Sequence, residues 1–185
     1  MFSSFKKVCA VVVVSLFLFP GGAWAAANWI VTKEGPKVWA QDLRPTTTAS
    51  WSGAVDVKGY ATGEGVLKWF EAGELVEVYE GMLSGRGIRR GQGILTLASG
   101  ARYEGYFCDD EILEGVLTLP SGERYEGGFS GGQYSRKGVL TLPSGERYEG
   151  EFSYGKFNGK GVLIWPDGAR VEGVFKDGQL VRRGD

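Results

Sequence analysis

The chain has 185 residues, no histidine and near-balanced charge, with 21 basic against 22 acidic side chains. The missing histidine removes the commonest general base and metal ligand, and the charge balance gives no global attraction to nucleic acid. Apolar residues make up 43%, too many for a disordered chain, and 31 glycines against six prolines, with no period of three, indicate short strands and tight turns rather than collagen.

The first element in chain order is a leader. Lys6 and Lys7 precede an apolar run from Val8 to Phe19, Pro20-Gly21-Gly22 breaks that run, and Ala23-Trp24-Ala25 supplies the small-x-small pattern of a cleavage site. As a helix the run reaches only about 18 Å, short of a hydrocarbon core of about 30 Å. Residues 1–25 therefore read as a signal peptide cleaved after Ala25, with an uncleaved anchor as the alternative, and the protein as exported, periplasmic or extracellular. Cys9 lies inside the run, so cleavage leaves Cys108 alone. A single cysteine forms no internal disulfide; Cys108 is a buried small side chain, a free thiol or an intermolecular bridge.

Residues 26–50 read as an N-terminal cap. They carry Trp29 and Trp39 and end in the linker-like Arg44-Pro45-Thr46-Thr47-Thr48. From 51 to 179 the sequence repeats. Tyr79-Glu80-Gly81, Tyr103-Glu104-Gly105, Tyr125-Glu126-Gly127 and Tyr148-Glu149-Gly150 recur at steps of 24, 22 and 23 residues. Trp51-Ser52-Gly53 opens the series and Val171-Glu172-Gly173 closes it as a degenerate copy. A second signature is locked to the first: Gly93-Ile94-Leu95-Thr96-Leu97, Gly115-Val116-Leu117-Thr118-Leu119, Gly138-Val139-Leu140-Thr141-Leu142 and Gly161-Val162-Leu163-Ile164-Trp165, each followed by a Ser-Gly or Asp-Gly turn.

Alternation in the Tyr148 unit puts Tyr148, Gly150 and Phe152 on one face and Arg147, Glu149 and Glu151 on the other. Glycine between two aromatics leaves a hole that a neighbouring ring can fill. The second strand follows a Gly-rich loop, Gly155 to Gly159. No 11-residue window of the chain from Ala26 onward shows helical apolar spacing. A lone hairpin is marginal in water, so the units are expected to stack into an all-β solenoid with capped ends. Val174 to Asp185 lacks the second-strand signature; residues 180–185 read as a tail, and Lys176, Asp177, Arg182 and Arg183 charge that edge against pairing.

The stretch from Tyr148 through Phe152, Gly155, Gly159 and Gly161 to Leu163 resembles the MORN repeat (membrane occupation and recognition nexus), and the likeness extends from about Trp51 to Gln179. Three units depart from it. The Tyr103 unit is one residue short, with Asp110 where glycine is expected. The Tyr125 unit has Arg136 at a glycine position, and the Tyr79 unit has Leu83 for phenylalanine plus one extra residue. The resemblance implies an elongated, twisted antiparallel sheet of hairpins with a grooved face. It implies binding rather than catalysis: protein–protein contacts, dimerisation or phospholipid recognition, as in small exported bacterial proteins of this kind.

The motif residues Tyr79, Gly81, Tyr103, Gly105, Tyr125, Gly127, Tyr148, Gly150 and Phe152 read as structural. No nucleophile, metal cluster or cofactor motif stands out, so no catalytic, metal or cofactor residue is assigned. Arg102 with Glu104, Arg124 with Glu126 and Arg147 with Glu149 are expected to form rows of alternating charge on stacked strands. Arg86, Arg89, Arg90, Lys137, Lys156 and Lys160 are the candidate ligand contacts, with Arg136 beside them; Asp109, Asp110, Glu111 and Glu114 interrupt any continuous basic strip. Trp51, Trp69, Phe70, Tyr103, Tyr125, Tyr148 and Trp165 form either a core or a sugar-stacking stripe. The expected function is a non-catalytic scaffold for a protein partner at the cell envelope. The alternative is recognition of anionic lipid or cell-wall glycan, and pairing of two arrays into a homodimer is compatible with either.

Overall fold

The computed structural model describes residues 28–40 and 43–184; the leader and its cleavage site lie outside the described residues. Among these there is no helix. Thirteen of fifteen strands belong to one open antiparallel sheet, not closed into a barrel. The chain divides into two compact units, one ending at Leu113 and one starting at Glu114.

In the N-terminal unit, β1 (Asn28–Val31) and β2 (Lys37–Ala40) form a separate hairpin. Val38 on its inner side is fully buried. Gly87 must be glycine beneath it, because its φ is 64° and a Cβ there would stand 2.8 Å from Val38 Cα. β3 (Thr47–Trp51) and β4 (Ala54–Val55) both pair with β5 (Ala61–Glu71); β6 (Glu74–Leu83), β7 (Arg89–Leu97) and β8 (Arg102–Cys108) follow in order. The sheet thus starts at Thr47, inside the linker-like stretch and ahead of Trp51. Hydrogen bonds from Lys33 N–H to Ala49 O (3.0 Å) and from Trp51 N–H to Glu34 Oε2 (2.9 Å) tie the leading hairpin to β3.

In the C-terminal unit the remainder of β9 (Glu111–Thr118) pairs with β10 (Arg124–Ser130), and β11 (Gln133–Thr141), β12 (Arg147–Ser153), β13 (Lys156–Ile164) and β14 (Arg170–Lys176) continue in chain order. β15 (Gln179–Arg183) then pairs with β14. The stretch after Val174 therefore does contain a second strand, and most of the supposed tail belongs to it. Only Leu180-Val181 is apolar there, too short a run to read as a strand.

Gly155 to Gly159 is not a loop. β12 and β13 are joined by the two residues Tyr154 (φ 51°) and Gly155 (φ 75°), and positive φ at both positions is the geometry that fits the twist of flanking strands. Asp109-Asp110, Gly131-Gly132 and Asp177-Gly178 do the same, so Asp110 occupies the glycine site of its turn. Beyond the turn the longer strand bulges. Phe152 pairs with Phe157 and Gly150 with Gly161, leaving Asn158, Gly159 and Lys160 opposite Glu151 alone. The bulge needs positive φ, supplied by Gly159 (112°), Gly91 (77°) and, in the Tyr125 unit, Arg136 (61°).

Candidate functional site

The motif tyrosines build one face of the sheet. Gly115, Gly127, Gly138, Gly150, Gly161 and Gly173 pair in register across the C-terminal unit. Each tyrosine ring lies over two of these glycines, where any Cβ would collide with it: at Gly150 a Cβ would sit 2.5 Å from the Tyr148 hydroxyl. The hydroxyl then donates to the backbone three residues on, from Tyr148 to Glu151 O (3.2 Å), from Tyr125 to Gly128 O (3.0 Å) and from Tyr79 to Met82 O (3.1 Å). Burial pushes the phenols of Tyr79, Tyr125 and Tyr148 up to about 12. Trp51 plays the same part over Gly53 and Gly65, its indole N–H donating to Ala54 O (2.9 Å).

The rings also pack on one another. Tyr148 stacks on Phe157 at 3.8 Å and meets Phe152 and Phe175 edge-on at 5.1 Å; Tyr125 stacks on Tyr134 at 3.8 Å and meets Phe129 and Phe152 edge-on at 5.1 Å. Trp51, Tyr103, Tyr125 and Tyr148 are buried, so the core reading of the aromatic stripe holds for them; Trp69, Phe70 and Trp165 are half-buried.

One column of this face varies. Phe157, Tyr134 and Arg89 occupy the same register, opposite Phe152, Phe129 and Leu83. Tyr134 extends its hydroxyl to Glu123 Oε1 (3.0 Å), two residues before Tyr125, where burial raises the carboxyl above its usual value. Arg89 extends its guanidinium to Glu77 (2.9 Å), two residues before Tyr79, and to Asp110 (3.0 Å), at 5.8 Å from the Tyr79 and Phe107 ring centres. Its side chain is only 11% exposed. Burial opposes the charge, but Glu77 and Asp110 outweigh it and hold the guanidinium above its ordinary value. Arg89 is thus corrected from a loop contact to a core residue in which a cation replaces a ring, and its charge is spent internally. Asp110, expected only in an acidic loop, is its partner.

The opposite face carries the motif charges. Glu126 faces Val116 and Val139, Glu149 faces Val139 and Val162, and Arg147 faces Thr141 and Ile164. The expected rows of alternating charge do not form, because the Arg-x-Glu signature sits on every second strand. Instead each arginine pairs within its own strand: Arg102 with Glu104 (2.7 Å), Arg124 with Glu126 (2.9 Å) and Arg147 with Glu149. Such exposed pairs contribute about 0–1 kcal/mol. Of the remaining candidates, Arg86, Arg90, Lys137 and Lys160 are exposed and Lys156 half-buried; Lys137 pairs in register with the acidic Glu151. Arg86 and Arg90 belong to one unit and Lys137, Lys156 and Lys160 to the other.

Sequence reasoning passed over Met82 and Tyr106, the two large exposed apolar side chains of this face that follow a motif tyrosine by three residues. The signal was present: the C-terminal unit has Gly128, Glu151 and Val174 at that position.

Hairpins in which a tyrosine covers a glycine pair define a β-hairpin repeat array. Residues 79–102, 125–147 and 148–170 match the MORN repeat, so the chain carries MORN repeats over those stretches. Such repeats are in general non-catalytic modules that bind protein or lipid. Comparison with curated proteins finds no match. Among solved structures, the SAS-4 (dCPAP) TCP domain of Drosophila melanogaster in complex with a proline-rich motif of Ana2 (dSTIL) is similar, at 14% identity over 91% of this chain and 97% of that one, with a TM-score of 0.39. A likeness of that size carries nothing about partners.

Proposed function

We propose that the chain is an exported, non-catalytic module that holds a protein partner at the cell envelope. Export rests on the sequence of the leader, with its Lys6-Lys7 start, apolar run and Ala23-Trp24-Ala25 site. The observation that carries the choice of a protein over a bilayer is the disposition of basic side chains. Arg89 is consumed inside, Arg102, Arg124 and Arg147 each lie against a glutamate of their own strand, and Lys137 lies opposite Glu151. Attraction to anionic lipid draws on uncompensated cations, about 1 kcal/mol for each near the surface, and these five are compensated by carboxylates of the chain itself.

The test is to express the complete chain, establish its compartment and mature N-terminus, and cross-link it in cells. Phosphatidylglycerol vesicles and cell-wall fragments serve as parallel baits. A mature protein beginning at Ala26 with one stoichiometric protein partner is the expected result. Retention in the cytoplasm, or salt-sensitive capture by vesicles alone, would overturn it.

A further inference from the structure

We propose that the outer edge of β15 binds an extended protein segment carrying consecutive aspartates or glutamates, which adds to the sheet as a further strand. The inference rests on the protein-partner reading above and assigns that partner a chemistry and a place. β15 is an end strand of the sheet order and, among the described residues, pairs with β14 alone. An end strand presents a row of backbone N–H and C=O groups on its outer side. Extended peptides are recognised at such edges by adding a strand.

The charges around the edge fix the sign of that partner. Phe157 and Phe175 point into the ring face, so Lys156, Lys176 and Arg170 stand on the opposite face by alternation. Lys160 and Arg182 join them there, both in register with Val174. Arg183 pairs with Gly173 of the glycine row and so stands on the ring face. Lys156 is half-buried and the other five are exposed; among the described residues none of the six makes an ion pair. The carboxylates beside them are fewer. Glu172 shares their face, Asp177 sits in the β14–β15 turn, and Asp185 lies outside the described residues. On β12, Glu151 lies in register with Lys137, and Glu149 is held by Arg147. The edge is therefore net positive.

A second copy of the chain would set Arg182 and Arg183 against their own kind, and like charges opposite one another destabilise a strand pair. A bilayer offers no partner to a backbone edge, and open sheet edges do not enter its hydrocarbon core. An acidic strand meets both needs. Its side chains alternate as those of β15 do, so neighbouring carboxylates reach Arg182 on one face and Arg183 on the other.

The probes are two dye-labelled synthetic peptides, one with paired glutamates between valines and threonines, the other with lysine at every acidic position. Their binding to the full chain is followed by fluorescence anisotropy at physiological salt, and amide hydrogen exchange of β15 is read with and without peptide. The acidic peptide is expected to bind and to slow exchange in β15. K176E/R182E on one face should weaken it about tenfold and R183E on the other about fivefold, without changing Tm. R86E/R90E in the N-terminal unit should leave it within about twofold, and R182E/R183E should reverse the preference between the peptides. Equal binding of both peptides, indifference to either face's variant, unchanged exchange in β15, or displacement by phosphatidylglycerol vesicles would overturn the assignment. If in-cell cross-linking to one protein survives K176E/R182E and R182E/R183E, this edge is refuted while the partner reading stands. If no protein cross-links at all, both fall.

Discussion

Replacing Arg89 with phenylalanine tests whether a guanidinium and a ring are interchangeable in the aromatic column. The substitution restores the residue type at Phe157 but strands two carboxylates. Glu77 and Asp110 are 18% and 14% exposed, and both lose their cation at 2.9 and 3.0 Å. Removing one partner of a buried ion pair costs about 3–5 kcal/mol. Asp110 still accepts the backbone N–H of residue 89 at 2.9 Å, so R89F should sit near the lower end, about 3 kcal/mol. For a unit of this size that is a fall in Tm of about 10 °C or more. Removing the carboxylates as well should recover the loss. E77A uses the residue found at Ala101 and Ala169, two before Tyr103 and Val171, and D110G places glycine where φ is 68°. R89F/E77A/D110G should therefore match or exceed the wild type, as apolar replacements of buried ion clusters often do. Urea and thermal melts of the single and triple variants give the answer. R89F within about 1 kcal/mol of wild type would refute the claim that the ion cluster holds this unit together. A triple variant as unstable as R89F would refute the interchangeability of cation and ring.

Three further outcomes follow from the C-terminal unit. Y148F removes one hydroxyl donor to Glu151 O and should cost about 1 kcal/mol, whereas Y148A empties a buried ring site and should cost about 3–5 kcal/mol in the same melts. E123Q should raise Tm at pH 7 and lose that advantage in acid. The raised Glu123 carboxyl stabilises the fold fully below its ordinary 4.5 and ceases to as pH climbs through the folded value, while glutamine still accepts from Tyr134; a Tm difference independent of pH would contradict this. In the Tyr125 hairpin Gly128 makes room for Arg136, a Cβ there meeting Arg136 Cβ at 3.3 Å; in the Tyr148 hairpin Gly159 makes room for Glu151, its Cβ at 2.9 Å. G128E should cost about 1–3 kcal/mol and G128E/R136G should restore it, with strictly additive effects counting against the exchange.

The hairpin order was legible because the signal is redundant. Tyr-x-Gly and Gly-Val-Leu recur in step with the same period of 22 to 24 residues, so each copy corrects errors in the next. What failed was local, and in each case a backbone preference lay behind it. Gly155 to Gly159 looked like a loop because glycines cluster there, but one belongs to a two-residue turn and another to a bulge inside β13. Asp110 and Arg136 looked like breaks in the pattern; both adopt the positive φ that glycine supplies elsewhere. The Arg-Tyr-Glu charges were assigned cross-strand partners although the motif occurs on alternate strands only, so a neighbouring strand could offer them nothing but valine, threonine or isoleucine.

The candidate site was less legible, for a reason internal to repeats. A consensus reports what every unit needs, and that is the covered glycine row; whatever one unit does alone appears as deviation. Arg89 illustrates the difficulty. Its charge invited assignment to the surface, but its register, on the strand next to Phe107 and opposite Leu83, places it in the core, and register is a three-dimensional fact. Met82 and Tyr106 were legible in principle, since both stand three residues after a motif tyrosine, at a position that must point away from the buried ring by simple alternation. Nothing in packing requires a large apolar side chain there, because Gly128 and Glu151 serve equally well in the other unit.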